Sequence, residues 1–94
     1  MSDKENVDKV KNILEVKVIE SEKTLYSGKA KSITSINDVG RFDVLPSHQS
    51  FISIIIGTIV IETEDREKIQ LKIGQGILKC VKNKVEILIG LESL

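Results

Sequence analysis

The sequence predicts an all-β domain: a two-sheet β-sandwich or flattened barrel of about eight to ten short strands, without substantial helix. Three observations carry that prediction. From Leu14 onward apolar and polar residues alternate with a period near two, the pattern of strands that bury one face and wet the other. Turn residues recur roughly every eight to twelve positions between these runs. The apolar residues are mostly isoleucine, valine and leucine, whose stiff branched side chains suit a pleated surface, and aromatics make up 3% of the chain.

Met1 to Asn12 mixes acids with lysines and reads as a polar, partly disordered leader, and residues 13–94 read as one β-sandwich domain. Leu14, Val16 and Val18 alternate with Glu15, Lys17 and Glu20 in a first strand; a polar turn at Ser21 to Thr24 leads into a second at Leu25 and Tyr26. Gly28 interrupts it as a bulge or bend, and Ala30 to Ile36 continues with Ile33 inward. Gly40-Arg41-Phe42-Asp43-Val44-Leu45-Pro46-Ser47-His48 follows, holding the one proline and the one histidine. Proline lacks a donor and fixes its own φ, so this stretch is a shaped connection, with Phe42, Val44 and Leu45 as apolar anchors.

Phe51 to Ile56 is apolar on both faces apart from Ser53, which predicts either a fully buried strand or one whose outer face meets a partner; partial burial by another protein is the favoured reading. Gly57 turns the chain into Thr58 to Thr63, with Ile59 and Ile61 on one side and Val60 on the other. Glu64-Asp65-Arg66-Glu67 is a solvated turn. Ile69, Leu71 and Ile73 then alternate cleanly with Lys68, Gln70 and Lys72 until Gly74 and Gly76 break the run. Ile77 to Val81, a turn at Lys82-Asn83, and Lys84 to Ile89 form a last hairpin with Val85, Ile87 and Ile89 inward.

Composition narrows the function. Fourteen basic residues balance fourteen acidic ones, so bulk charge recruits neither nucleic acid nor anionic lipid. Scattered aromatics give no stacking platform for single strands. His48 and Cys80 are the only soft metal-ligand candidates, too few for a zinc site. Cys80, flanked by Lys79 and Val81 within a strand, reads as a buried structural thiol rather than a nucleophile. Asp38, Asp43, Glu62 and Glu64 show no spacing that singles out an acid–base pair, and no glycine-rich phosphate loop precedes a helix. No enzyme activity and no cofactor are expected.

The order Leu14-Glu15-Val16-Lys17-Val18, Leu25-Tyr26-Ser27-Gly28, Ile33, Gly40 to His48, Gly57 and Gly74-Gln75-Gly76-Ile77-Leu78 resembles the N-terminal domain of the F-type ATP synthase epsilon subunit, over roughly Leu14 to Leu91. The resemblance implies a β-sandwich at the foot of the central stalk of a proton- or sodium-translocating synthase. It would be non-catalytic and clamped to the gamma subunit, with its loop resting on the polar loops of the membrane c-ring. It implies a peripheral location at the cytoplasmic face of a bacterial inner membrane. Positions matching Val39, Gly40, Arg41 and Phe42 would face the c-ring, and those matching Glu20, His48 and Ser53 would face gamma. Pro46 and Gly57 would shape the loops.

Departures from the family pattern stand at Arg41, where an acidic residue is common, at Asp43 and Ser47, where glycine is common, and at Gln49 and Ser50, where alanine then proline is common. Arg41 predicts an acidic or neutral partner on the ring loop. His48 reads equally as a hydrogen-bonded loop histidine and as a partner contact. Family members continue into a two-helix C-terminal region that binds ATP, whereas this chain ends at Leu91-Glu92-Ser93-Leu94; either it is naturally short or it is a piece of a longer protein, and no specific ATP binding is expected of it. Two rival readings are a lipoyl- or biotinyl-type carrier domain, with Lys82 or Lys84 as the modified residue, and a generic β-sandwich interaction module using the Phe51 to Ile56 face.

Overall fold

The computed structural model describes residues 13–47 and 49–90, so the leader, His48 and the last four residues lie outside the described residues. In chain order the strands are β1 (Leu14–Glu20), β2 (Lys23–Ile36), β3 (Arg41–Val44), β4 (Ser50–Thr63), β5 (Lys68–Val81) and β6 (Lys84–Ile89). They follow the order β1-β6-β5-β4-β2-β3, and β1 also pairs with β2. Five strands therefore close into a flattened barrel, while β3 lies outside the ring on β2. β1 and β6 run parallel; every other pair is antiparallel.

The all-β expectation holds, with one correction to the strand count. Among the described residues six strands form where eight to ten short ones were expected, because Gly57, Gly74 and Gly76, read as breaks, lie inside long strands. β2, β4 and β5 each run 14 residues. Gly57 does not turn the chain: it sits within β4 opposite Gly74 of β5, with φ of +81° and +69°. Thr58 then pairs with Lys72, leaving Ile73 as an extra residue. Positive φ is costly for residues with a Cβ, so this glycine pair lets both strands coil together at one rung, as closing a sheet requires.

β2 bends on either side of Gly28 rather than at it. The register leaves Leu25 unpaired against β1 and Lys31 unpaired against β4, while Gly28 stays opposite Val16. Its missing side chain makes room for Tyr26: a Cβ there would lie 3.2 Å from the phenol oxygen, which donates to the Lys29 carbonyl at 2.9 Å. The connection Gly40 to His48 is also partly strand. Arg41 to Val44 pairs with Ile36 to Ile33 as an outer strand, a position that tolerates the proline following it. Val44 is buried, Phe42 half-buried, and Leu45 is exposed and anchors nothing.

Inward residues fall where alternation placed them. Leu14, Val16, Val18, Ile33, Ile59, Ile61, Val85, Ile87 and Ile89 are buried together with Ile55 and Leu78. Each large aliphatic side chain removed from water contributes about 1.5–3 kcal/mol before chain entropy is set against it. Ser35 is the exception: fully buried opposite Phe42, with its hydroxyl lacking a partner among the described residues. Gly76 packs closest of all, since a Cβ there would sit 2.7 Å from the Leu88 carbonyl oxygen.

Ser35→Ala removes a desolvated hydroxyl at little cost in volume, and is expected to stabilise the domain by about 1 kcal/mol, raising Tm by about 4–8 °C. Gly76→Ala is expected to destabilise it by about 1–3 kcal/mol, because backbone rather than a flexible side chain must give way. Thermal and urea denaturation of the two variants checks both signs.

Candidate docking surface

The outward residues of β4, β5, β6 and β1 form rows across the sheet, because each paired register carries the outer side chain of one strand to that of the next. Ile54 lies opposite Ile77, Ile77 opposite Leu88, and Leu88 opposite Ile19. Ile52 and Ile56 flank this row on β4, and the three β4 isoleucines are 68%, 60% and 44% exposed from Ile52 to Ile56. Isolated apolar residues on a surface are ordinary, but a continuous four-strand row is the kind of patch that marks an interface. β2 pairs only with Val60 to Thr63 of β4, so the apolar first half of β4 also keeps an edge with no strand beside it among the described residues.

Charges take over toward the start of β1. Lys17, Glu86 and Lys79 are opposite one another across β1, β6 and β5, and Lys29, Glu15 and Lys84 form the next row across β2, β1 and β6. Opposite charges directly across a ladder favour that pairing and no shifted one. A groove of about 580 Å³ runs over these rows. One sheet face is thus apolar at one end and charge-laced at the other.

The turn between β2 and β3 is built by Asn37. Its Oδ1 accepts from the Val39 and Gly40 amides at 2.9 and 3.1 Å, while its backbone exchanges hydrogen bonds with Gly40 at 3.0 and 3.2 Å. Val39 stands at the tip, 90% exposed. Arg41 is exposed at the start of β3, whereas Phe42 turns back to meet Phe51 edge-on, with ring centroids 6.5 Å apart and planes at 75°. Of the four residues expected to face the ring, Val39 and Arg41 project and Phe42 fixes β3 to β4. The Asn37 Nδ2 donates to Ser53 Oγ at 3.3 Å, which ties Ser53 to the foot of that same turn.

Pro46 lies in the bend after β3, held from the β5–β6 hairpin. The Ser47 amide donates to Asn83 Oδ1 at 3.0 Å, and the Cys80 thiol donates to the Gln49 carbonyl at 3.7 Å. Lys82 and Asn83 both have positive φ, +48° and +69°, the backbone of a two-residue type I′ hairpin turn. Cys80 is buried, and burial pushes its thiol above the ordinary range, partly offset by the Asn83 backbone amide. The buried structural thiol read from the sequence is what the fold contains.

Glu20 is exposed at the end of β1 opposite Lys23. Ser53 belongs to the rung of Leu78, Ile87 and Val18, three strands away. The residues expected to face gamma are therefore not one cluster, and His48 falls outside the described residues. Two organisers went unread in the sequence: Asn37, whose signal was an asparagine three residues before a glycine, and the Asn83 side chain, whose role needs a contact 36 residues away. Among the described residues no three His, Cys, Asp or Glu gather as a metal site.

Closure, strand order and the divided outer face define a small all-β barrel domain. Residues 13–90 match the family described as ATP synthase, Delta/Epsilon chain, beta-sandwich domain, and the chain belongs to that family. The ATP synthase epsilon chain of Campylobacter fetus is 32% identical over 79 residues, covering 83% of this chain and 61% of that one. The ATP synthase epsilon chain of Helicobacter pylori (strain Shi470) is 34% identical over 77 residues, covering 81% and 62%. A chain in the structure of Euglena gracilis mitochondrial ATP synthase with its OSCP, F1 and c-ring superposes with a TM-score of 0.76 at 19% identity, over 81% of this chain and 49% of that one. The central stalk and c-ring of the Tetrahymena thermophila enzyme gives 0.64 at 15%, over 81% and 62%. This chain spans 59–61% of the length of the curated relatives it matches first. Family membership does not favour the carrier-domain or generic-module readings.

Because the folded thiol ionises later than the unfolded one, the Cys80 contribution to stability is complete below the unfolded thiol pKa. It is lost as pH rises from there through the folded value. Urea midpoints of wild type and Cys80→Ala are expected to keep a constant gap near neutrality and converge at alkaline pH. Thiol reagents should label the native protein slowly and the unfolded chain fully.

Proposed function

We propose that this domain is a non-catalytic rotor part of a proton- or sodium-translocating F-type ATP synthase, joining the gamma subunit of the central stalk to the polar loops of the c-ring. The observation that carries this reading is the outward row of Ile54, Leu88 and the half-buried Ile77 and Ile19, flanked by the exposed Ile52 and Ile56, in a domain of this family. A surface of that kind is stable in water when a partner covers it, and gamma is the partner proposed for it. Glu20, His48 and Ser53 are proposed to border the gamma contact. Val39, Gly40 and Arg41 are proposed to meet the ring, with Phe42 holding their turn in place.

The mechanical role follows from construction. Torque passes through an element only if that element does not shear, and an interior packed at crystal-like density, closed by hydrogen bonds around the barrel, resists shear. The relatives and neighbours named above support assignment to a membrane-peripheral stalk. The cytoplasmic face of a bacterial inner membrane is the location proposed.

Ile54→Glu places a charge in the proposed interface, and is expected to weaken binding to the gamma subunit about 30- to 100-fold. Titration of the full chain against immobilised gamma measures it; undiminished affinity would remove the reading. Arg41→Glu should leave gamma binding intact and weaken attachment to the ring in reconstituted enzyme, with reduced proton-coupled ATP synthesis as the readout.

A further inference from the structure

The strands of the barrel overlap only in part, and the stretches left open on one side are guarded unequally. β3 is four residues long, carries Arg41 and Asp43, and runs toward Pro46. β5 has no β6 beside it along Lys68 to Gln75, where Lys68 and Lys72 stand, and the open start of β2 holds Lys23 and Lys29. Short length, lysine and proline are the devices that keep another strand from joining an edge. The first half of β4 has none of them. β2 joins β4 only from Val60 onward, and the backbone of Ser50 to Gly57 finds its backbone partners on β5 alone among the described residues. No charged residue and no proline stands between Ser50 and Ile61. A hydrophobic strand with an unpaired row of amides and carbonyls is a template for a further strand.

We infer that this open side of β4 takes the same stretch of a second copy of the chain, in antiparallel pairing about a two-fold axis at Ile54. Side chains alternate along a strand, so two copies keep their outer faces on one side only in registers that set outward residues opposite outward ones. With Ile54 opposite itself, Ile52 of each copy meets Ile56 of the other, and Phe51 meets Gly57, where the bend in β4 ends the ladder. The three exposed isoleucines of each copy then form one cross-strand patch, and no charge faces a like charge across the axis. An arrangement in which one patch pairs with itself closes at two copies. The ladder is short, so the buried area falls below the about 1,200 Å² of a standard stable interface, and the dimer is weak, with a Kd of about 10–100 µM. Pairing covers the β4 end of the surface proposed for gamma, which makes the dimer the form of the free chain and gamma its competitor. The pairing itself rests on the open edge and not on that reading.

The test uses the full chain. Without gamma, sedimentation equilibrium is expected to show reversible dimers at about 10–100 µM. Ile52→Lys sets a lysine at an exposed position on the open strand, and is expected to raise the dimer Kd at least about tenfold with Tm unchanged. Ile54→Cys brings a thiol opposite its twin, with about 5 Å between Cα atoms, and mild oxidation is expected to trap a dimer through that residue. Leu88→Cys lies on the same outward row but two strands away from the open edge, and is expected to stay monomeric under the same oxidation. A chain that remains monomeric at about 1 mM, or an Ile52→Lys dimer as strong as wild type, would overturn the pairing. So would cross-linking at Leu88→Cys as ready as at Ile54→Cys, which would mean that copies stack face to face. Should Ile52→Lys lower Tm, the position of the disulfide decides. Equimolar gamma is expected to dissociate the dimer; a dimer that persists beside gamma counts against the docking reading and leaves the pairing standing.

Discussion

Ring closure is the constraint on which the rest of this structure depends. β1 must pair with β2 on one side and β6 on the other, and only that double pairing turns a six-stranded sheet into a barrel around a shared interior. A barrel this small cannot close with straight strands, so the bends at the Gly57–Gly74 rung and at Leu25 and Lys31 are conditions of closure. Once the registers are set, each outer side chain has an assigned neighbour three strands away. The apolar row and the two charged rows are consequences of closure rather than separate features.

That dependence explains what could be read from the amino-acid order. Period-two alternation is local, so the inward residues of β1, β5 and β6 and the Lys82-Asn83 turn were legible directly. Gly57 and Gly74 were legible as special positions but read as breaks, and Gly28 was read as the bend that falls at its neighbours, because a glycine that ends a strand and one that curves it look alike until its opposite residue is known. Gly57 becomes intelligible only when Gly74 is placed across from it. The isoleucines of β4 were legible as an outward apolar face; that Ile77, Leu88 and Ile19 extend it needed three registers at once. Family resemblance supplied the partner proposed for that surface, which alternation alone could not.

The apolar half of β4 is held by two kinds of contact. Near its start, Phe51 meets Phe42 edge to face, and Ser53 receives a hydrogen bond from Asn37, so the β2–β3 turn and β4 share supports. Movement at one would be felt at the other through a few direct contacts. For a part proposed to pass load between two partners, joining both contact regions to one strand shortens the path between them. The charged rows beyond it restrict register without adding an adhesive surface.

The parallel pairing of β1 with β6 carries a consequence for biosynthesis. Of the described strands β1 emerges from the ribosome earliest and soon meets β2, but its other neighbour is β6, more than sixty residues downstream. The nascent polypeptide therefore waits, half-zipped, until translation has delivered Ile89, and the isoleucine-rich middle is meanwhile open to holdase chaperones or to premature aggregation.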